Sequence, residues 1–256
     1  MSMTESGGVK SAIRVLHVLE HLAETGDASF SELASALELP KSSASALLAT
    51  LESSGWIERD AQRRYAVGLR AWQVGQRFRG HESITAHARP LMDALSEQTG
   101  ETVQLARLDG MENVYIAISQ SANPMRLASS VGMRLPSHAT GIGKALLSQL
   151  DPTERARRVT GASLRRLTEH TITDPERLLV VLSEAAMADV ATDDEEYLEG
   201  CRCVAVPLHT AALGVETALS VTAPAFRTGS HWPDDVLPLL RTAAVQLRTR
   251  LGLTRR

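Results

Sequence analysis

The sequence has little cysteine, few aromatic residues and no long hydrophobic run. Two of its 256 residues are cysteines and 4% are aromatic, so a secreted disulfide framework is not expected. No stretch of eighteen apolar residues is present to form a transmembrane helix. Residues 1–8 are polar and lack the apolar core of a signal peptide. We therefore expect a cytoplasmic chain with a flexible tail over residues 1–8 and no membrane partner.

Neither sign of charge dominates the chain. It carries 27 Lys and Arg against 30 Asp and Glu. Residues 1–70 hold seven basic and nine acidic side chains. Surfaces that bind nucleic-acid phosphates usually have an excess of positive charge, so any such binding by this segment is expected to be weak and to need dimerisation. The chain is long enough for two domains, each with its own core.

The elements predicted for residues 13–67 follow the order of a winged helix-turn-helix. Ser29 and Glu32 form a capping-box pattern at the start of the second helix. The pattern predicts three helices and two wing strands, over residues 13–23, 30–37, 41–53, 56–59 and 65–67. In this layout the third helix enters the major groove of double-stranded DNA and the wing touches the backbone. The alternative is that the three-helix unit mediates protein–protein contacts.

Polar and basic residues mark the predicted DNA-facing side. Leu47, Leu48 and Leu51 recur at the spacing of one buried helix face, so Ser42, Ser45 and Ala46 point away from it. Hydroxyl groups can bond both phosphates and bases. The predicted DNA contacts are Lys41, Ser42, Ser43, Ser45 and Ala46 on the third helix and Arg59, Arg63 and Arg64 on the wing.

The rest of the chain reads as a linker helix followed by an α+β domain. The linker spans residues 68–82, with its helix at 68–79 and a break at 80–83, and the second domain spans 83–256 after a DNA-binding domain at 9–67. Helices are predicted at 84–99, 141–149, 153–158, 175–188 and 235–251, and strands at 102–108, 114–118, 201–207 and 215–221. Mixed elements with hairpin turns indicate a ligand-sensing domain built on an antiparallel sheet.

The segment Thr140–Lys144 predicts an anion site. Thr140 is a good N-cap, and Gly141 and Gly143 allow a ligand to approach the backbone N–H groups at the helix start, which favour a carboxylate or phosphate. A nucleotide-binding phosphate loop fails on spacing, because His138 and Ala145 stand where that motif has Gly and Ser or Thr. The alternative is that the glycines simply let the helix pack close to the sheet.

The two cysteines share one face of a predicted strand, since Cys201 and Cys203 are two residues apart. A structural zinc would need two more ligands, and only the scattered His138, His209 and Asp193 are available. A bridge between residues i and i+2 would be strained. Both cysteines are therefore expected to line a pocket, and a metal- or redox-responsive protein remains the alternative.

Two further groups have ligand-binding chemistry. Ser220 and Thr222 alternate on one strand face, where their hydroxyls can donate to a ligand oxygen. Asp193 begins the acidic run Asp193–Glu196, which is either a solvated loop or part of the ligand site. No cofactor is expected. An enzyme is not expected either, because no nucleophile–base motif, H-E-x-x-H or strand-linked G-x-G-x-x-G occurs.

Six segments together resemble the isocitrate-lyase-regulator (IclR) family of bacterial transcription factors. Two lie in the helix-turn-helix region and a third crosses into the linker: L-P-K-S-S-A-S-A-L-L-A-T-L (39–51), G-W-I-E-R-D (55–60) and R-Y-A-V-G-L-R (64–70). Three lie in the second domain: G-M-R-L-P-S-H-A-T-G-I-G-K-A-L-L (132–147), D-D-E-E-Y-L-E-G-C-R-C-V-A-V-P (193–207) and A-L-S-V-T-A-P (218–224). Each segment alone is weak, and the set in this order is specific.

The resemblance implies a homodimer or dimer of dimers that binds operator DNA and senses a small metabolite. It implies an N-terminal winged helix-turn-helix and a C-terminal GAF-like α/β effector-binding domain. By the same resemblance, Leu127, Leu135, Asp193, Cys201, Cys203, Ser220 and Thr222 surround the effector, and Gly141 and Ile142 at the predicted helix start complete the expected site. This chain departs from the family at Ala46, where an arginine is usual, and at Asp189-Val190, where Gly-Tyr is usual. A small carboxylic acid that alters the spacing of two DNA-binding domains is the expected effector.

Overall fold

The computed structural model describes residues 9–77 and 82–253, with the backbone alone at 82 and 83. The chain divides into two compact units, Met1–Gly80 and His81–Arg256. The predicted tail at 1–8, the end of the linker helix at 78–79 and the start of the predicted break at 80–81 lie outside the described residues. Across the described part of the chain, no helix combines the length and the apolar character needed to cross a membrane.

The N-terminal unit is the predicted winged helix-turn-helix. Its elements are α1 (Lys10–Thr25), β1 (Asp27–Ala28), α2 (Phe30–Ala36), α3 (Lys41–Ser53), β2 (Ile57–Arg59), β3 (Tyr65–Val67) and α4 (Leu69–Gly75). The capping box is confirmed, since Ser29 and Glu32 exchange both bonds at the start of α2. The short strand β1 was not predicted; it pairs with β3, which makes an antiparallel sheet in the order β1-β3-β2.

The core of this unit fixes which side of α3 faces out. Leu48 and Leu51 are buried beside Val18, Leu33 and other apolar residues of the helices and wing. Ser42, Ser43, Ser45 and Ala46 lie on the exposed side, as the leucine spacing predicts.

The helix α4 is joined tightly to the wing. A Cβ atom placed on Gly68 would lie 2.5 Å from the carbonyl oxygen of Gly55, so only glycine fits there. The Gly68 N–H donates to the oxygen of Trp56 at 2.8 Å, and the Leu69 N–H donates to Glu58 Oε1 at 2.9 Å. Beyond this joint α4 has no buried residue. Leu69, Trp72 and Val74 are exposed within the described chain.

The C-terminal unit is built on a six-stranded antiparallel sheet. Its helices are α5 (Glu82–Thr99), α6 (Gly141–Ser148), α7 (Pro152–Thr160), α8 (Pro175–Ala188) and α9 (Leu237–Arg250). Its strands are β4 (Thr102–Asp109), β5 (Glu112–Ser119), β6 (Arg134–Pro136), β7 (Ala191–Asp194), β8 (Cys201–Pro207) and β9 (Thr217–Pro224). The strand order is β6-β5-β4-β9-β8-β7. This is the predicted α+β architecture, with β6 and β7 in addition.

The two faces of this sheet are covered by different helices. One face packs its branched residues, such as Val103 and Val221, against α5 and α9. The other face carries small residues, including Ala205 and Ala218, and packs against Ile142 and Leu146 of α6. Small side chains let α6 lie close to the strands. The sheet therefore presents its polar candidate residues to the start of α6.

Candidate functional site

The site begins at the first turn of α6. Thr140 is the N-cap, because its hydroxyl accepts the Gly143 N–H at 3.2 Å and donates to Asn113 Oδ1 at 2.8 Å. Backbone N–H groups in a first helical turn have no acceptor within the helix. One of them, the Ile142 N–H, finds its partner on the sheet in the thiol of Cys203.

Both glycines of this turn are in close contact with neighbouring backbone. A Cβ on Gly141 would lie 3.1 Å from Cys203 Sγ and 3.3 Å from the nitrogen of Asp193. A Cβ on Gly143 would lie 2.3 Å from the Cα of Ser137. The alternative interpretation, that glycine serves close packing, thus accounts for Gly143 and also fits Gly141, which packs against the candidate ligand residues Cys203 and Asp193.

Most predicted effector residues lie together in one buried patch. Asp193, Cys203 and Thr222 are cross-strand neighbours on β7, β8 and β9. The patch contains Gly141, Ile142, Asp193, Cys201, Cys203, Ser220, Thr222 and Leu135, all of them buried. The exception is Leu127, which is half-buried on the irregular segment between β5 and β6.

Asp193 is the acidic group of the patch. Its Oδ1 accepts the Glu196 N–H at 2.7 Å, and its side chain is buried. Burial raises the pKa of Asp193 to about 7, although the Glu196 N–H and the charge of Lys144 act in the opposite direction. The interpretation of residues 193–196 as a solvated loop is therefore wrong for Asp193 and Glu196, whereas Asp194 is exposed.

A buried ion pair next to this patch was missed by the sequence analysis. Lys144 is 2% exposed, and its Nζ bonds Glu196 Oε1. Glu196 Oε2 is buried without a partner among the described residues. The backbone oxygen of Glu196 also accepts the Thr171 hydroxyl at 2.7 Å. The signal in the sequence is a lysine inside an otherwise apolar helix.

The two cysteines are buried free thiols. Burial, with the nearby charge of Asp193, raises the pKa of Cys203 to about 11, and the hydroxyls of Thr222 and Ser220 and the Ile142 N–H only partly offset this. Burial also raises the pKa of Cys201. Thiolates, not thiols, ligate metals and attack disulfides. In the described ranges, no three or more His, Cys, Asp or Glu residues are grouped so as to hold a metal ion.

Gln104 is a second polar residue that the sequence analysis missed. It lies on β4, and its Oε1 accepts the hydroxyls of Ser220 at 3.0 Å and Thr222 at 2.9 Å. Its Nε2 is buried and has no partner among residues 9–77 and 84–253. A glutamine within the apolar strand 102–108 was the signal.

The three wing arginines predicted to contact DNA differ in their ion-pair partners. Arg59 Nη2 pairs with Glu52 at 3.0 Å and also bonds the Tyr65 hydroxyl. Arg64 pairs with Asp27 at 2.6 Å and with Glu32 at 3.2 Å. Arg63 lies in the turn between the wing strands with φ of +63° and is exposed. Within the described part of the chain, neither Arg63 nor the exposed Lys41 has an ion-pair partner. Two of the three wing arginines are thus held by their own domain.

Family comparisons agree with both units. Residues 11–61 match the IclR helix-turn-helix domain, and residues 77–249 match the domain described as bacterial transcriptional regulator IclR C-terminal. The chain belongs to the IclR family. The predicted resemblance is confirmed, and the chain is a DNA-binding transcriptional regulator with a C-terminal effector domain rather than an enzyme.

Individual IclR relatives match over most of their length. The chain is 33% identical to the HTH-type transcriptional regulator BhcR of Paracoccus denitrificans, over 87% of this chain and 80% of that protein. It is 31% identical to KdgR of Escherichia coli, over 95% and 93% of the two chains. An IclR homologue from Microbacterium hydrocarbonoxydans, solved in complex with 4-hydroxybenzoate, superposes with a TM-score of 0.81 at 27% identity, over 95% of this chain and 100% of that one.

Proposed function

We propose that the C-terminal unit binds a small carboxylic acid at the first turn of α6 and thereby changes the affinity of the DNA-binding unit for its operator. The observation that carries this proposal is the position of Gly141 over Cys203 and Asp193, at the N-terminus of a buried helix. A helix N-terminus has free N–H donors and a positive dipole end, both of which favour an anion.

The surrounding groups suit an acid of modest size. The carboxylate accepts hydrogen bonds from the N–H groups of Gly141 and Ile142, the second in place of its bond to Cys203, and the oxygens of the Ser220 and Thr222 hydroxyls line the patch. Leu135, Cys201 and the thiol of Cys203 form an apolar wall, and Leu127 is proposed to complete it from the loop before β6. Asp193, when protonated, offers an O–H donor to the same carboxylate. Binding in a buried patch strengthens each of these hydrogen bonds.

The DNA-binding unit is proposed to insert α3 into the major groove. Lys41, Ser42, Ser43 and Ser45 would reach phosphates or base edges, and Ala46 would give an apolar contact in place of the arginine usual in the family. Arg63 is the wing residue with a free charge for the phosphate backbone. Arg59 and Arg64 must first leave their ion pairs in order to contact DNA.

The protein is proposed to act in the cytoplasm as a dimer or a dimer of dimers, because two helix-turn-helix units read two half-sites. Effector binding would change the spacing of the two units through the linker at residues 68–82. The relative complexed with 4-hydroxybenzoate supports an organic acid as the ligand class.

The test is a thermal-shift screen of the full chain against small organic acids, amino acids and divalent metals. We expect an acid to raise the melting temperature of the wild type, by an amount equivalent to about 2.7 kcal/mol at a ligand concentration of 100 Kd. Gly141→Val should abolish the shift, because its side chain fills the approach to the N–H groups. Gly229→Val, at a glycine with open space around it, is the matched control.

Two outcomes contradict the proposal. The absence of a shift with every acid overturns it. Stabilisation by thiophilic metals alone, lost when Cys201 and Cys203 are both replaced by serine, supports the metal- or redox-responsive alternative. The buried, protonated thiols disfavour that alternative.

A further inference from the structure

We propose that Gln104 determines which acid is bound, because its side-chain amide donates a hydrogen bond to a second oxygen of the effector. This oxygen is an acceptor beyond the carboxylate group, such as a carbonyl oxygen further along the carbon chain. The inference rests on the proposed function and goes beyond it by assigning a selectivity role to a residue of β4.

The position of Gln104 places its amide beside the effector patch. Gln104 is fully buried and is the cross-strand neighbour of Ser220 on the sheet face that α6 covers. Thr222, whose hydroxyl also bonds the Gln104 amide, is in turn the cross-strand neighbour of Cys203. The sulfur of Cys203 lies against Gly141. Gln104 thus lies two strands from Cys203, and its amide reaches toward the intervening strand β9, where it bonds Ser220 and Thr222.

The hydrogen bonds of Gln104 leave its donor free. The hydroxyls of Ser220 and Thr222 both donate to Oε1, which satisfies the two lone pairs of that oxygen. Nε2 has two hydrogens and is buried without an acceptor among the described residues. An unpaired buried donor is unfavourable, so a ligand that supplies an acceptor gains affinity there, and one that lacks it leaves the donor unpaired.

The geometry therefore selects acids by their second oxygen. Ser220 and Thr222 donate their hydroxyl protons to Gln104. The donors left for a ligand are therefore the backbone N–H groups at the start of α6 with a protonated Asp193 at one end, and the Gln104 amide at the other. A molecule with acceptor oxygens at both ends matches this arrangement. An acid with a plain hydrocarbon tail matches only one end.

The test compares matched acids on the full chain by isothermal titration calorimetry. Butyrate is compared with 2-oxobutyrate, and pentanoate with 4-oxopentanoate, so that each pair differs by one acceptor oxygen at a different position. We expect the wild type to bind one oxo acid about tenfold more tightly than its partner, which is the worth of one well-placed hydrogen bond. Gln104→Met should reduce this ratio to about one and change the affinity for the plain acid little.

Controls separate selectivity from folding. Gln120→Met replaces an exposed glutamine of the same unit and should keep the tenfold ratio. A second measurement uses NMR of the wild-type protein labelled with 15N in its glutamine side chains, so that the result does not depend on the folding of a core variant. The Gln104 amide signal, assigned by its absence in Gln104→Met, should shift with the preferred oxo acid and stay in place with its plain partner.

The outcomes are distinct. If acids bind but the wild type does not discriminate within either pair, or if Gln104→Met keeps the tenfold ratio, the role of Gln104 is refuted and the proposed function stands. If Gly141→Val binds the acids as the wild type does, the site at α6 is refuted. If no acid binds the wild type, both proposals fail.

Discussion

Gly143 lies so close to Ser137 that a Cβ atom on the glycine would stand 2.3 Å from the Ser137 Cα and 2.5 Å from its oxygen. Ser137 has little freedom to retreat, because its N–H is bonded to the oxygen of Met111 at 2.9 Å. This backbone contact fixes how deeply α6 sits against the segment that precedes it.

Replacing Gly143 by alanine is therefore expected to lower the free energy of unfolding of the C-terminal unit by about 3 kcal/mol or more, since overpacking against backbone is poorly relieved. Gly229→Ala, where nothing lies within 4 Å of the added Cβ, should change it by less than about 0.5 kcal/mol. Urea unfolding followed by circular dichroism measures both. Equal stabilities for the two variants would contradict the close contact.

Removing one partner of the Lys144–Glu196 pair should be far more harmful than removing both. Lys144→Met leaves a buried carboxylate without compensation and is expected to cost about 3–5 kcal/mol of unfolding free energy. The double change Lys144→Met with Glu196→Met should recover most of this loss. Arg157→Met, which breaks an exposed pair with Glu154, is the control and should change the stability little. Additive effects in the double variant would rule out coupling of the buried pair.

The buried carboxyl of Asp193 makes stability depend on pH. Its folded-state pKa of about 7 lies above the ordinary value of 3.8, so from about pH 4 to pH 7 the folded state binds more protons than the unfolded state. The contribution of Asp193 to stability is complete below pH 4 and is lost as the pH rises through 7.

Asp193→Asn should flatten this part of the stability profile, measured by urea unfolding at half-unit steps from pH 4 to 8. Asp194→Asn, at the exposed neighbour, is expected to keep the wild-type slope. A slope that persists in Asp193→Asn would assign the titration to another group.

Variants of the wing arginines should affect different properties: Arg63→Ala the affinity for DNA, and Arg64→Ala the stability of the domain. Arg63→Ala is expected to weaken binding to a duplex selected from a random library and to reduce the salt slope by about one, because one phosphate contact is lost. Arg64→Ala removes ion pairs to Asp27 and Glu32 and should lower the stability only slightly, since these pairs are exposed. Fluorescence anisotropy at several salt concentrations gives the slope. A larger change of slope for Arg64→Ala than for Arg63→Ala would reverse this assignment.

The sequence predicted the elements whose signals are local. The capping box at Ser29 and Glu32, the leucine face of α3 and the Thr140 cap were all identified from neighbouring residues, and the structure confirms them. The predicted helix at residues 175–188 and strand at 201–207 agree with α8 and β8. The roles of the DNA-contacting and effector-contacting residues stay predictions.

Features that depend on distant partners were not predictable. The strand β7 is short and carries three polar residues, so its own sequence is a weak strand signal and its conformation depends on pairing with β8. Lys144 and Glu196 are 52 positions apart, and Gln104 and Ser220 are 116 apart. Nothing in the spacing of such residues shows that the fold joins them. The same holds for Arg64, whose partner Asp27 precedes the second helix.

The close approach of Gly68 to Gly55 makes α4 and the wing one rigid unit. The first turn of α4 is held to the hairpin by one bond to backbone and one to a carboxylate. A rotation of the helix therefore moves the hairpin with it, because the junction between them does not bend. The direction in which each side chain of α4 points around the helix axis is therefore fixed by its number of residues from Gly68. One residue inserted after Gly68 would rotate the exposed Trp72 and Val74 by about 100° around the helix axis while the wing keeps its place.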